Sequence, residues 1–451
     1  MSERIHFIGV GGSGMSAVAR LIAARGYTVS GTNLAGTAYF QALADAGMDV
    51  QLGHDAALVD GAAAVVVSTA VRETNVELAR ARALGIPVWH RSEALVRALE
   101  GQRLVAVAGS HGKTTTSAMV AHALHAAGVD AGFAVGARVF GIEGAVAGGY
   151  AGTAGISVLE ADESDGSFLR YHPEVAILLN IEPDHLDFHG TVENLHRAFA
   201  DFAAQSRTVV ACVDDAVVRG LADAARAAGT RVLTYGSEGS GADAVVGPDA
   251  IAYGGSEVPL AVSAPGVHNR LNATAAWLAA VEMGADPDAA AASFASFAGT
   301  GRRYQLRGEA AGVRVIDDYA HHPTEVAALL RAARDGGAGH IVVLFQPALF
   351  TRTQMHAESF GRALSVADAD VVLAPVHGDR EDPIPGVSSA SIAEHAVMPE
   401  GSTLTLADDL EHAARLAADA ARPGDTVYTV GSGTVTLAAD WILARLAERD
   451  V

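Results

Sequence analysis

The stretch Val105-Ala106-Val107-Ala108-Gly109-Ser110-His111-Gly112-Lys113-Thr114-Thr115-Thr116 decides how this chain is read. Small apolar residues suit a strand, the two glycines a tight turn, and the lysine and threonines open a helical pattern. In that order the backbone N–H groups from Gly109 through Thr115 cradle phosphates. The lysine meets the β/γ charge, and the Thr114 hydroxyl is placed for Mg²⁺. The stretch departs from the full Walker pattern, because Val107 stands at the first glycine position and leaves a shorter G-x-x-G-K-T. Lys113 is the only lysine among 451 residues, every other side chain in the basic count of 31 being arginine. Codon bias toward arginine is the bland explanation, but whatever drove the bias left one lysine standing at this turn.

Working outward, short apolar runs alternate with helical patterns from end to end. This predicts an α/β fold of mostly parallel sheets flanked by helices. Three blocks are expected: a Rossmann-like domain over residues 1–100, a central phosphate-loop domain over 101–302, and a second Rossmann-like domain over 303–451. Strands are expected at Ile5–Val10, Tyr27–Ser30, Ala63–Val67 and Ile86–Trp89, then at Leu104–Ala108, Ile156–Leu159, Val175–Leu179 and Thr208–Val213. Four more are expected at Val313–Ile316, Ile341–Phe345, Val371–Ala374 and Thr426–Val430. The glycine- and serine-rich Gly236–Ser263 reads as loops and small strands attached to the second block.

The net charge of −21 comes without a basic run, which argues against nonspecific nucleic-acid binding. Anionic ligands must be held by local devices. No apolar stretch approaches the roughly 20 residues that span a bilayer, and no basic leader precedes the first strand, so a soluble cytoplasmic protein is expected. With Cys212 as the single cysteine, no intramolecular disulfide is open to the chain and a cysteine-based zinc site is disfavoured.

A second glycine turn, Gly9-Val-Gly11-Gly12-Ser13-Gly14, lies between the first strand and a helical pattern, the context of a dinucleotide fingerprint. Plain packing is the bland alternative. Where an NAD site wants an acid for the ribose hydroxyls, this chain has Asn33. That disfavours a dehydrogenase and leaves another nucleotide diphosphate, such as a UDP-sugar, compatible.

Carboxylates gather after two strands, in Glu160-Ala-Asp162-Glu163-Ser-Asp165 and Glu182-Pro-Asp184-His185-Leu-Asp187. Acids beyond a strand's C-terminal end are suited to Mg²⁺ on a nucleotide, a solvated acidic turn being the alternative. The two strands are expected to be adjacent, so that acids and a histidine share one rim. Hard oxygen donors favour Mg²⁺ or Mn²⁺ over zinc. Further on, Arg302 and Arg303 stand at the expected hinge, either for a γ-phosphate or as surface ion pairs. Asp317-Asp318-Tyr319-Ala-His321-His322-Pro-Thr-Glu325 suggests a site facing a substrate amine, or a second metal. Arg352, after the strand ending near Gln346, is placed for a carboxylate.

Taken together, Gly109–Thr116, Glu160–Asp165, Asn180–Asp187, His268-Asn269-Arg-Leu-Asn272, Gly299–Arg303 and Asp317–Glu325 resemble the ordered motifs of the Mur ligases, over essentially the whole chain. The resemblance implies three domains and ATP-dependent amide formation through an acyl phosphate, most like the branch that joins L-alanine to UDP-N-acetylmuramate. It implies Gly9, Gly11, Gly12, Ser13, Gly14, Asn33 and Ser68 on the UDP-sugar. Asn269, Asn272 and Arg302 join the phosphate turn on ATP, and Thr114, Glu163 and His185 lie on metal. Lys113, Glu163, His185, His321 and Arg352 are implied in catalysis. A monomer or weak homodimer is expected. Against the family's usual pattern this chain has Thr32-Asn33 for Ser-Asp and Glu143-Gly-Ala-Val146 for a G-T-N-A-like turn. It also has Ala348 for a histidine and His377 for a tyrosine. Rival readings are a ligase attaching a preformed tripeptide to the same sugar, a paralogue with another acceptor, and a nucleotide-binding regulator without turnover.

Overall fold

The computed structural model describes residues 3–449 except Ala147, Ala338, Ala367 and Arg380, and leaves the Asp187 side chain undescribed. Two compact units make up the chain: residues 1–263 with 270–300, and residues 264–269 with 301–451.

The first unit holds two sheets. Strands β1 (Arg4–Ile8), β2 (Thr28–Asn33), β3 (Asp49–Leu52), β4 (Ala64–Val67) and β5 (Val88–His90) run parallel in the order β3-β2-β1-β4-β5. The chain returns from β3 to the far side of β1, making a switch point between β1 and β4, where open α/β sheets bind ligands at their C-terminal ends. The glycine turn and Ser68 follow β1 and β4 at that end.

The second sheet comprises β6 (Arg103–Ala108), β7 (Gly132–Ala134), β8 (Gly149–Tyr150), β9 (Ile156–Glu160), β10 (Val175–Leu178), β11 (Thr208–Cys212), β12 (Arg231–Ser237), β13 (Ala244–Val246), β14 (Ala250–Tyr253) and β15 (Ser256–Pro259). Its order is β15-β14-β13-β12-β11-β10-β6-β9-β7-β8. The middle strands read as continuous apolar runs because helices cover both faces. Residues Val105–Ala108, Val175–Leu178 and Thr208–Cys212 are all buried. The expected adjacency of β9 and β10 is wrong. β6 pairs with both, Val107 opposite Glu160 on one side and Ile177 on the other. Hydropathy fixes which segments are strands but not their lateral order. The consequence is functional: the phosphate turn leaves the middle strand, flanked by an acid-bearing loop on each side.

Apolar residues from both sheets form one continuous core that includes Ile5, Phe7, Leu95, Ala108, Leu178 and Phe199. Phe168 stacks on Phe202 with centroids 5.1 Å apart and meets Phe199 edge-on at 5.3 Å. This anchor pins the loop just after Glu163, and truncating such a buried ring typically costs about 3–5 kcal/mol.

Under β1 and β2 lies a buried polar network. Glu77 is fully buried, accepts from Thr32 Oγ1 at 2.7 Å and the Asp55 N–H at 3.1 Å, and meets His6 Nε2 at 3.3 Å. Burial opposes its ionisation, but these hydrogen bonds more than offset that and hold the carboxyl below the usual glutamate range. A depressed folded pKa contributes stability above the unfolded value of about 4.3, and that contribution is lost as pH falls through the folded value. Glu77→Gln should therefore lower stability at pH 7 by about 1–3 kcal/mol. It should also lose stability less steeply than wild type below pH ~4.3. Urea unfolding at pH 7 and at pH 4 checks both.

The second unit is built on β16 (Gln305–Ala310), β17 (Val313–Asp318), β18 (Ile341–Phe345), β19 (Ala369–Leu373), β20 (Leu404–Leu406) and β21 (Thr426–Val430), in the order β16-β17-β21-β18-β19-β20. All pairs are parallel except β16 with β17. The four expected strands form its interior. The two unexpected ones are edges, short or half-exposed, without the apolar run that marks a central strand.

Candidate active site

Gly109 has φ +146°, and a Cβ there would lie 2.9 Å from Leu179 Cβ and 3.1 Å from the Asn180 nitrogen, so only glycine fits. The turn is stitched to the loop after β10. Ser110 N–H donates to the Asn180 carbonyl (2.9 Å), His111 N–H to Asn180 Oδ1 (2.8 Å), and Glu182 N–H to Ser110 Oγ (2.8 Å). Asn180 is thus a structural partner of the turn that sequence reading quoted without a role. Gly112, at φ +85°, caps the helix Lys113–Ala126. The Asn272 amide lies against Gly112, its Oδ1 3.2 Å from a Cβ built there. Asn269 belongs to the second unit and donates from Nδ2 to the Pro265 carbonyl at 2.7 Å.

Lys113 is folded onto its own turn. Its Nζ donates to the Gly109 carbonyl at 2.6 Å and to Glu163 Oε1 at 2.9 Å, across from the end of β9. Burial alone would depress the ammonium, but Glu163, Asp162 and Glu160 outweigh it and hold it above the usual lysine value. The other Glu163 oxygen, Oε2, is buried without a hydrogen-bond partner among the described residues. A buried carboxylate oxygen without a partner is costly, and a cation bound there would satisfy it. Thr114 Oγ1 donates to Glu160 Oε1 at 2.9 Å, while Glu160 Oε2 accepts the Gly136 N–H at 2.7 Å. As the only side-chain amine, Lys113 should label slowly with an amine-selective reagent even without nucleotide. Glu163→Gln should speed labelling by about tenfold for each pKa unit lost. Peptide mass mapping of a time course reads both.

His185 caps a short helix with φ +54° and faces Asp184 Oδ2 at 3.7 Å. From the same loop, buried His189 reaches the acid loop, its Nε2 2.9 Å from the Glu163 carbonyl. Asp187 was quoted with this loop, but its side chain lies outside the described residues. Opposite β10, Asp215 Oδ2 accepts the Ile181 N–H at 3.2 Å while its Oδ1 caps the helix after β11.

At the other turn, Gly12 caps the helix Ser13–Ala24, and the Gly11 N–H donates to Asn33 Oδ1 at 3.2 Å. Asn33 Nδ2 donates to the Ala35 carbonyl at 2.6 Å. The residue at the ribose position is thus folded over the glycine turn. Ser68 opens a turn, its carbonyl accepting the Val71 N–H at 3.1 Å.

In the second unit, Arg302 (φ +60°) donates to the carbonyls of Gly431 at 2.6 Å and Gly433 at 3.2 Å, and pairs with buried Asp317 at 3.4 Å. The Arg302 and Arg303 guanidiniums both lie over the Tyr319 ring, 4.8 and 5.1 Å from its centroid. Burial pushes Asp318 up to about 6, against Arg303 and the N–H groups of Tyr304 and Ala320. Burial pushes His321 down to about 4, with the Arg352 and Arg303 guanidiniums acting in the same direction and Glu325 opposing. His321 Nδ1 lies 3.0 Å from the Tyr319 carbonyl, an acceptor only, so Nδ1 carries the proton and Nε2 presents a lone pair. Ala348 and His377, two of the departures from the family pattern, sit side by side as a parallel bridge. The His377 ring packs on Gly433, where a Cβ would lie 2.8 Å from it.

Residues 4–103 match the Mur ligase family catalytic domain, residues 107–280 the Mur ligase middle domain, and residues 302–433 the Mur ligase glutamate ligase domain. The UDP-N-acetylmuramate–L-alanine ligase of Kineococcus radiotolerans is 48% identical over 465 residues, covering 99% of this chain and 97% of that one. The enzyme of the same name from Paenarthrobacter aurescens is 47% identical, covering 96% and 95%. Among solved structures, the UDP-N-acetylmuramate–alanine ligase of Thermotoga maritima superposes with a TM-score of 0.81 at 26% identity, covering 99% of both chains. A murein peptide ligase from Psychrobacter arcticus shares the fold, with a TM-score of 0.72 at 24% identity over 99% of each chain. The chain belongs to the Mur ligase family.

Proposed function

We propose that this chain joins L-alanine to UDP-N-acetylmuramate by an amide bond, converting ATP to ADP and phosphate, in peptidoglycan synthesis. The observation that carries the reading is identity of 47–48%, over nearly the full length of both chains, to ligases named for that reaction. The muramoyl carboxylate attacks the γ-phosphorus and the bond to ADP breaks, leaving an acyl phosphate. The alanine nitrogen then attacks the acyl carbon, loses a proton, and phosphate departs with a former carboxylate oxygen.

Little covalent chemistry falls to the protein in phosphoryl transfer, so positioning and charge carry it. The N–H groups of Lys113, Thr114 and Thr115 at the helix start receive the phosphates, those of Ser110 and His111 being held by Asn180, and Lys113 exchanges Glu163 for the β/γ oxygens. Glu163 Oε2, without a hydrogen-bond partner among the described residues, fits Mg²⁺, or Mn²⁺, with the Thr114 hydroxyl proposed as a further ligand and His185 for a second ion. Bound there, the metal neutralises charge on the phosphoryl oxygens. Asn269, Asn272 and Arg302 are assigned to the nucleotide, and Gly9, Gly11, Gly12, Ser13, Gly14, Asn33 and Ser68 to the UDP-sugar. In this reading His321 Nε2 takes the amine proton and Arg352 holds the amino acid's carboxylate.

No helix among the described residues is long and apolar enough to cross a membrane, and a cytoplasmic setting fits the substrates. Phosphate release with ATP–Mg²⁺ and UDP-N-acetylmuramate, each amino acid supplied in turn, tests the proposal. L-alanine should be preferred, glycine and L-serine slower, D-glutamate inactive. One methyl group gives discrimination of only about 1–3 kcal/mol, so glycine should retain measurable turnover. Preference for a tripeptide or an acidic amino acid would overturn the reading.

A further inference from the structure

Arg91 has no place in the motifs read from sequence, yet it stands where both anionic ligands of the first unit are governed. It opens the helix Arg91–Ala98 directly after β5, and its guanidinium lies over the first glycine turn. A Cβ built on Gly14 would fall 2.5 Å from Arg91 Nη1 and 3.4 Å from its Cζ, so the missing side chain of Gly14 is the space the guanidinium fills. On its other side, Nη2 donates to Asp162 Oδ2 over a long 3.4 Å, with the two side chains 29% and 37% exposed. Asp162 lies one residue before Glu163. Burial alone would raise the Asp162 carboxyl, but Lys113, Ser164 and Arg91 together hold it below the usual range.

A partly exposed pair at that distance stabilises little and is easily exchanged. A guanidinium matches a diphosphate far better, because its planar fork donates in two directions at once. The turn's N–H groups and the N-terminus of the helix Ser13–Ala24 supply only partial positive charge to a ligand carrying full negative charge. Arg91 supplies the missing countercharge.

We propose that Arg91 binds the diphosphate of the UDP-sugar and leaves Asp162 to do so, so that filling the first glycine turn releases the Asp162 carboxylate beside Glu163. This rests on the UDP-sugar reading above and goes beyond it by naming the side chain and its resting partner. Charge balance supports the coupling. Once Arg91 leaves, Asp162 keeps Lys113 as its positive neighbour and adds negative charge beside the Glu163 oxygen that is already bare.

The test is calorimetric binding of UDP, UMP and uridine to wild type, Arg91→Ala, Arg91→Lys, Asp162→Asn and the double variant. Wild type should bind UDP well above UMP. Arg91→Ala should weaken UDP by roughly 10–100-fold while leaving uridine unchanged, collapsing the UDP-to-UMP ratio. Arg91→Lys, which keeps the charge without the fork, should fall between. Asp162→Asn should tighten UDP several-fold, and that gain should vanish in the double variant. A merely structural Arg91 would weaken all three ligands alike. An unchanged UDP-to-UMP ratio in both Arg91 variants, or an Asp162→Asn gain that survives loss of Arg91, would overturn this inference alone. Wild-type protein that binds neither UDP nor the UDP-sugar would overturn the functional reading as well.

Discussion

Glu163→Ala should lower turnover by roughly 10²–10³-fold at saturating substrates, the scale seen when a single fixed electrostatic partner of a transition state is lost. The side chain is 2% exposed, one oxygen on Lys113 and the other without a hydrogen-bond partner among the described residues. Its removal does two things at once. It deletes the buried acceptor that fits a divalent cation, and it leaves the Lys113 ammonium without its nearest counterion. Loss of a cation partner should appear as a higher Mg²⁺ requirement, and excess Mg²⁺ should restore only part of the rate. The fold should survive, because the loop is held independently by Phe168 among its aromatic neighbours and by His189 on the Glu163 carbonyl. Steady-state rates across a Mg²⁺ titration, with circular dichroism as the folding control, decide it. Near-wild-type turnover would remove Glu163 from the mechanism.

His321→Ala should lower overall turnover by about 10²-fold, the lower range for loss of a general base. The acyl phosphate should still form at close to the wild-type rate. The proposed role of the imidazole on the amine, with none in phosphoryl transfer, predicts that the two half-reactions separate. Its proton sits on Nδ1 against the Tyr319 carbonyl, and a pKa of about 4 keeps Nε2 unprotonated throughout the working range. Protonating His321 should therefore not limit the wild-type rate until the pH approaches 4. Trapping the intermediate with hydroxylamine, alongside phosphate release over pH 5–9, distinguishes the steps. A variant equally impaired in both would place His321 in the fold rather than in amine chemistry.

Much of this was legible in the sequence because the phosphate turn carries its own context. The apolar run Val105–Ala108, the paired glycines and the lone lysine declare strand, turn and helix within a dozen residues. The interior strands of the first and third sheets declared themselves the same way, as did β6, β9, β10 and β11 of the second, whereas its interior β7 and β12 did not. What stayed hidden depends on lateral order and side-chain reach. That β6 separates β9 from β10 cannot be read from hydropathy, since all three strands are equally apolar. The Lys113–Glu163 pair and the His189 hold on Glu163 follow from that order, joining residues 50 and 26 positions apart. Arg91 was missed for a related reason. In sequence it is one arginine at a helix start, and only the absence of a side chain at Gly14 makes its position meaningful. The departures at Ala348 and His377 looked independent until β18 and β19 brought them together as neighbours.

The most direct test of the account follows oxygen. UDP-N-acetylmuramate labelled with ¹⁸O in the muramoyl carboxylate is incubated with L-alanine, ATP and Mg²⁺, and both phosphate and product are weighed by mass spectrometry. One ¹⁸O atom should appear in each released phosphate, with a product heavier by one alanine residue that keeps the other labelled oxygen. Phosphate without label, or label retained entirely in the sugar nucleotide, would contradict it.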